Sequence, residues 1–199
     1  MKTRHVALLA STLAGALAFA GVADAQTPMR IRGTITALEG SVLSVKARDG
    51  KDLRLELDDK LVVATAKAIK LEDLKAGDYV GTTAMKRGDQ MVAVEVHTLA
   101  PTVPQGHTPW DLQPESTMTN ALVGTITKMG DANELTLTYK DGMQRIMVPN
   151  GIPIVTTIPA DRSALRPGEY IFAAAQSFPD GKITAARIQV SKDGVRPPQ

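Results

Sequence analysis

The chain has 199 residues, a formal net charge of +2, and no cysteine. The missing thiols exclude disulfides, thiolate metal sites and a thiol-linked lipid anchor. The near-neutral charge leaves no electrostatic footprint for nucleic acid or anionic lipid. With aromatic residues at 4% of the chain, the core must be aliphatic.

At the start, Lys2, Arg4 and His5 precede an apolar stretch from Val6 to Val22 and the small-residue site Ala23-Asp24-Ala25. That order predicts a secretory signal peptide over residues 1–25, cleaved before Gln26, and a periplasmic or secreted address. The apolar stretch barely reaches the ~20 residues a membrane-spanning helix requires. No later run approaches that length, so no membrane span is expected after cleavage.

The next feature is an internal repeat. Gly33-Thr34-Ile35-Thr36 recurs as Gly124-Thr125-Ile126-Thr127, and Asp49-Gly50 recurs as Asp141-Gly142. Leu74-Lys75-Ala76-Gly77-Asp78-Tyr79-Val80 matches Leu165-Arg166-Pro167-Gly168-Glu169-Tyr170-Ile171. Gly88-Asp89-Gln90-Met91-Val92-Ala93 parallels Asp180-Gly181-Lys182-Ile183-Thr184-Ala185.

Each copy reads as five short strands. Arg30–Leu38 and Ser41–Arg48 meet at the turn Glu39-Gly40, and Asp49-Gly50 supplies the positive φ that a tight hairpin needs. Leu53, Leu55 and Leu57 alternate with Arg54 and Glu56, the period of a strand with one buried face. Leu71–Ala76 reads as a helical turn stopped by Gly77, followed by strands Tyr79–Met85 and Met91–Thr98. The second copy repeats the order over Leu122–Val190, with Pro159–Arg166 in the helical slot.

Three strands, a short helix and two strands is the element order of a five-stranded Greek-key OB barrel. The G-x-I motif, the D-G turn, the L-[KR]-x-G-[DE] segment and the closing A-x-x-[VI]-x-V strand resemble a secreted bacterial domain family of unknown function with an OB-like barrel. The resemblance implies an all-β protein of two tandem barrels, over 26–98 and 122–191, each with a short helix. A Pro-rich linker, 99–121, joins them and a C-terminal tail, 192–199, follows. It carries no catalytic residues, because its motifs are turn and core positions. Barrels of this size are marginal alone, so the two are expected to pack on each other or on a second copy.

The linker holds Pro101, Pro104, Pro109 and Pro114, the single tryptophan and His107. Proline stiffens it beyond a generic tether. One reading makes Trp110 and Leu112 a plug between the barrels. The other makes His107, Trp110 and Met118 a copper or silver site, since imidazole and thioether suit Cu(I) and an indole face can cover a cation. This residue set is similar in kind to that of small periplasmic copper chaperones built on OB barrels. His97 sits at the linker's start and could join the set. Strand alternation puts it outside with Met91, Ala93 and Glu95, while Val92, Val94 and Val96 face the core. Met143 and Met147 read as core filling.

No nucleophile elbow, zinc-protease helix motif, phosphate loop or dinucleotide fingerprint occurs. The expectation is therefore a non-enzymatic periplasmic binding or assembly module without a cofactor, whose partner is an envelope protein or itself. The alternative is a periplasmic copper- or silver-handling protein or an accessory to metal transport.

Overall fold

Period-two alternation governs the folded chain: Leu55 and Leu57 are buried while Arg54 and Glu56 between them are exposed. The computed structural model describes residues 26–199; the predicted signal segment lies outside the described residues. The protein is all-β, and strands β1 (Thr27–Glu39), β2 (Val42–Ala47) and β3 (Asp52–Ala68) run as an antiparallel meander. Its turns carry Gly40 at φ 58 and Gly50 at φ 87, the conformation the two turn motifs demand.

A 3-10 turn, Leu71–Asp73, leads to β4 (Tyr79–Arg87) and β5 (Gln90–Thr98). Then come β6 (Gly106–Pro109), β7 (Ser116–Met129), β8 (Ala132–Tyr139), β9 (Gly142–Pro149) and β10 (Ile154–Ala160). A second 3-10 turn, Arg162–Ala164, precedes β11 (Tyr170–Ser177) and β12 (Ile183–Val190). The predicted helical slots are thus single three-residue turns, shorter than Leu71–Ala76 or Pro159–Arg166.

The hydrogen-bonded ladder closes twice on itself. In the first five-strand circuit β1, β2 and β3 are joined by β12, parallel to β3, and by β11, antiparallel to both β12 and β1. In the second, β7, β8 and β9 are joined by β5, parallel to β9, and by β4, antiparallel to β5 and β7. Each circuit draws strands from both halves of the chain. Neither circuit is confined to 26–98 or to 122–191.

The cause lies in β3. Its 17 residues overrun the first circuit, and its last part pairs antiparallel with β10, from Val63↔Ala160 to Ala68↔Val155. When the chain turns at Leu71–Asp73 it has already crossed over, and β4 lands beside β7 instead of β1. The midpoint of this crossing ladder falls between Thr65↔Ile158 and Ala66↔Thr157.

Two aliphatic clusters follow the circuits. Ile31, Ile35, Leu43, Leu55, Ile171 and Ile188 form one, and Val80, Val96, Val123, Leu135, Leu137 and Ile146 the other. Leu165 from the second 3-10 turn packs in the first cluster, and Leu71 from the first turn packs in the second. Met143 and Met147 stay outside: Ile146 and Val148 take the inward positions of β9 and leave Met143 exposed.

The segment predicted as a linker, 99–121, is half strand. β6 pairs with β7, and residues 117–120 of β7 are paired on both edges, to β6 and to β4. The repeated tetrapeptides also fall out of step. The β1–β2 ladder bulges between Ile35 and Ala37, and the β7–β8 ladder between Val123 and Thr125. Pairing thus sets Thr36 level with Gly124, three residues from the alignment of the two Gly-Thr-Ile-Thr motifs.

Candidate functional site

A bulge in β5 creates the site. Thr83 pairs with Glu95 and Ala84 with Ala93, so Val94 is the extra residue. Ala93 and Val96 both reach the core, which breaks the predicted alternation of Val92, Val94 and Val96 inward. Glu95 and His97 keep the outer surface of the second circuit, as predicted, yet they are only 6% and 7% exposed.

Three neighbouring strands arrange this surface as a grid. One row is Glu95, Thr83 and Met118; the next is His97, Gly81 and Asn120. The missing side chain of Gly81 makes room for the imidazole, since a Cβ there would lie 2.7 Å from His97 Cε1. The Thr83 hydroxyl donates to Glu95 Oε1 at 3.0 Å and stands 4.0 Å from the Met118 sulfur.

Two straps cover the grid. The first is the irregular chain around β6. Tyr79 donates its hydroxyl to the Val103 carbonyl at 2.8 Å, and Asn120 donates its side-chain amide to Pro104 at 3.2 Å. Within it Trp110 sits between the circuits, with the Arg30 guanidinium 4.1 Å from its ring centre. The neighbouring Asp111 pairs with the buried Arg32 at 2.8 Å. The second strap is Lys192–Gln199, folded back at Asp193 and Gly194 with Lys192 paired to Val195. The Gln199 backbone N–H donates to both Glu95 oxygens, at 3.0 and 3.2 Å, and its carbonyl accepts from the Trp110 indole at 2.9 Å.

Burial dominates the electrostatics. Loss of water pushes the Glu95 carboxyl up to about 7, against the opposing pull of the Gln199 N–H, the Thr83 hydroxyl and the Arg32 charge. The same loss pushes His97 down to about 4, so the imidazole is neutral at physiological pH. His97 Nδ1 lies 3.8 Å from Glu95 Oε1, has no hydrogen-bond partner among the described residues, and forms no ion pair with Glu95 in that state.

His97, Trp110 and Met118 line one cavity of about 140 Å³, together with Phe172, Pro198 and Gln199. Of the four residues predicted as metal ligands, these three come together. His107 does not. Its Nδ1 is hydrogen-bonded to the Thr119 hydroxyl at 2.8 Å, and Thr119 and Met118 are adjacent on β7, hence on opposite faces. Sequence reasoning missed Glu95, Thr83 and Gln199. The spacing Glu95-x-His97 does place two polar groups on one face, but only the straps make that face an interior.

Among the described residues no group of three or more His, Cys, Asp or Glu side chains is placed to hold a metal. The donors at this site are one carboxylate, one imidazole and one thioether, a mixed set suited to a single soft or borderline cation. A second cleft, lined by Arg30, Arg32, Arg48 and Lys51, has its cations partnered within the chain. Asp111 takes two of the arginines, Asp49 takes Lys51 at 2.8 Å, and Arg48 donates to the Leu112 carbonyl. Among the described residues no helix is long and apolar enough to cross a membrane. No family model matches the chain, and no match to it was found among curated proteins or solved structures.

Proposed function

We propose that this protein is a non-enzymatic binding or assembly module of the bacterial cell envelope, built from two OB-like barrels. In this reading the barrels descend from tandem copies that have exchanged their last two strands. The strand order of each circuit, with the third and last strands parallel, supports the OB assignment. The basic start, apolar stretch and Ala23-Asp24-Ala25 site support export.

The observation that carries the binding role is the chemistry of the covered grid. The Glu95 carboxyl of the grid and the Trp110 indole of the first strap are both satisfied by main-chain atoms of the second strap. A surface that reads N–H and C=O groups of an extended chain is suited to protein partners. Glu95 and His97 are not hydrogen-bonded to each other, and the one hydroxyl between them and Met118 already donates to Glu95. That arrangement has no activated nucleophile.

The test is site-specific photo-crosslinking of the full chain in cells that export it. A crosslinker in place of the exposed strap residue Thr102 is expected to give a discrete adduct with one envelope protein. The same group in place of exposed Lys140, on the turn between β8 and β9, is expected to give none. Identical adduct patterns from both positions, or no adduct from Thr102, would remove this reading.

A second reading, copper or silver handling, is favoured by one observation: the buried, unpartnered His97 Nδ1 beside Glu95 and Met118. Cu(I) or Ag(I) added to the protein is then expected to quench Trp110 fluorescence with saturation near one equivalent. Met118→Leu should abolish the quenching and His107→Ala should preserve it, because His107 faces away. A flat titration eliminates this alternative.

A further inference from the structure

We propose that the groove closed by Lys192–Gln199 is a peptide-binding site, and that this strap is an internal ligand displaced by an extended Pro-Pro segment of a partner protein. The proposal rests on the binding-module reading and names the partner's chemistry.

Three observations carry it. First, the strap contacts the grid as a peptide ligand would. Its Gln199 N–H enters the Glu95 carboxylate and its Gln199 carbonyl accepts from Trp110, two bonds available to any extended chain in that position. Second, the residues that fill the groove are Pro197 and Pro198, both buried. Consecutive prolines hold an extended conformation without internal hydrogen bonds, so docking orders little that is not already ordered. Arg196, just before them, places its guanidinium 4.6 Å from the Tyr170 ring centre, which adds a cation to the preferred sequence.

Third, the strap is attached lightly. β12 is bonded to β11 on one edge and to β3 on the other. The strap departs from β12 through Asp193 at φ 51 and Gly194 at φ 80, and its backbone ladder is the single Lys192–Val195 bridge. Beyond that bridge, the hydrogen bonds holding it to the rest of the protein are those of Gln199 to Glu95, Trp110 and Tyr170. Lifting residues 195–199 therefore breaks no sheet pairing. With the strap in place, a cleft of about 420 Å³ already lies between it and Glu95, Pro153 and Val155, and it adjoins the His97 cavity through Gln199.

An attached segment competes at a high effective concentration, of millimolar order for a short flexible connection. A free peptide is accordingly expected to bind the native chain weakly and a chain with a loosened strap well. The test uses a synthetic peptide of the sequence from Lys192 to Gln199 and the full-length Pro197→Gly/Pro198→Gly variant, followed by Trp110 fluorescence. The peptide should bind the variant at least about tenfold more tightly than the native chain, and a peptide with both prolines replaced by alanine should bind about tenfold more weakly. Equal affinity for both proteins, no binding to a folded variant, or equal affinity for both peptides overturns the proposal. If the variant fails to fold, amide exchange on the native chain decides. The Gln199 amide is expected to exchange at least about tenfold faster than that of Val190, and equal protection overturns the displaceable strap. The two readings fail separately. Peptide failure with a specific Thr102 adduct leaves a binding module that uses another surface, and peptide binding without the adduct removes the envelope-assembly role alone.

Discussion

Gly33→Ala is expected to destabilise the protein by about 3 kcal/mol or more, while Gly124→Ala costs less than about 1 kcal/mol. The two glycines open identical tetrapeptides. In β1 a Cβ on Gly33 would overlap the Lys46 carbonyl and lie 2.8 Å from the Ala47 Cα. Those are backbone atoms of the paired strand, so relief requires prising β2 from β1 in the wall of a barrel. A Cβ on Gly124 first meets the Thr136 carbonyl at 3.3 Å, and a shift of a few tenths of an ångström accommodates it. Replacing glycine also restricts the unfolded chain, worth ~0.4–1 kcal/mol in the variant's favour. Urea denaturation of both variants measures the difference. Equal losses would mean that the motifs occupy equivalent positions after all.

Glu95→Gln is expected to stabilise the protein by about 3 kcal/mol at pH 8 and to leave stability unchanged at pH 4. The folded Glu95 titrates at about 7, against an ordinary value of 4.5. Between these values the unfolded chain is ionised while the folded chain takes up a proton. The native protein therefore loses stability as pH rises from 4.5 to 7, and the loss persists above. Glutamine stays neutral and keeps an acceptor for the Gln199 N–H, so the variant escapes that loss. His97 acts in the opposite sense: its folded value of about 4 lies below 6.5, so stability is lost as pH falls from 6.5 to 4. In the native protein the two slopes oppose each other between 4.5 and 6.5, where stability is nearly flat. Glu95→Gln leaves only the His97 slope, and its stability should climb across that window. A stability difference from the native chain that does not vary with pH would show that Glu95 is not held neutral by burial.

A good part of this protein is legible without coordinates, because it depends on neighbours in sequence. Strand identity follows from local alternation, as at Leu53, Leu55 and Leu57. The Glu39-Gly40 and Asp49-Gly50 turns follow from the backbone freedom that positive φ requires. Aliphatic cores follow from composition. The site was legible only in fragments. Trp110, Met118 and His97 stand out as rare or soft residues, and they do share a cavity. His107 carries the same chemical promise, yet it sits one residue out of phase on a paired strand and points to the other face.

Glu95 could not be singled out, because an acidic residue on an outward strand position is ordinarily solvated. It becomes a buried carboxyl through Val94, whose bulge re-phases β5, and through a strap more than ninety residues away. The exchange of strands between the two halves was hidden for the same reason. Both possible partners of β1 carry nearly the same motif, Gly77-Asp78-Tyr79 or Gly168-Glu169-Tyr170, and local sequence has no preference between them. By itself the sequence determined the hairpin strands outside 99–121, where they turn and that they enclose aliphatic cores, since those are short-range consequences of side-chain period and backbone freedom. The tertiary structure decided which half of the chain supplies each closing strand and which polar groups lose their water. Both depend on the length of β3 and the path of the two straps, contacts between residues far apart in the chain.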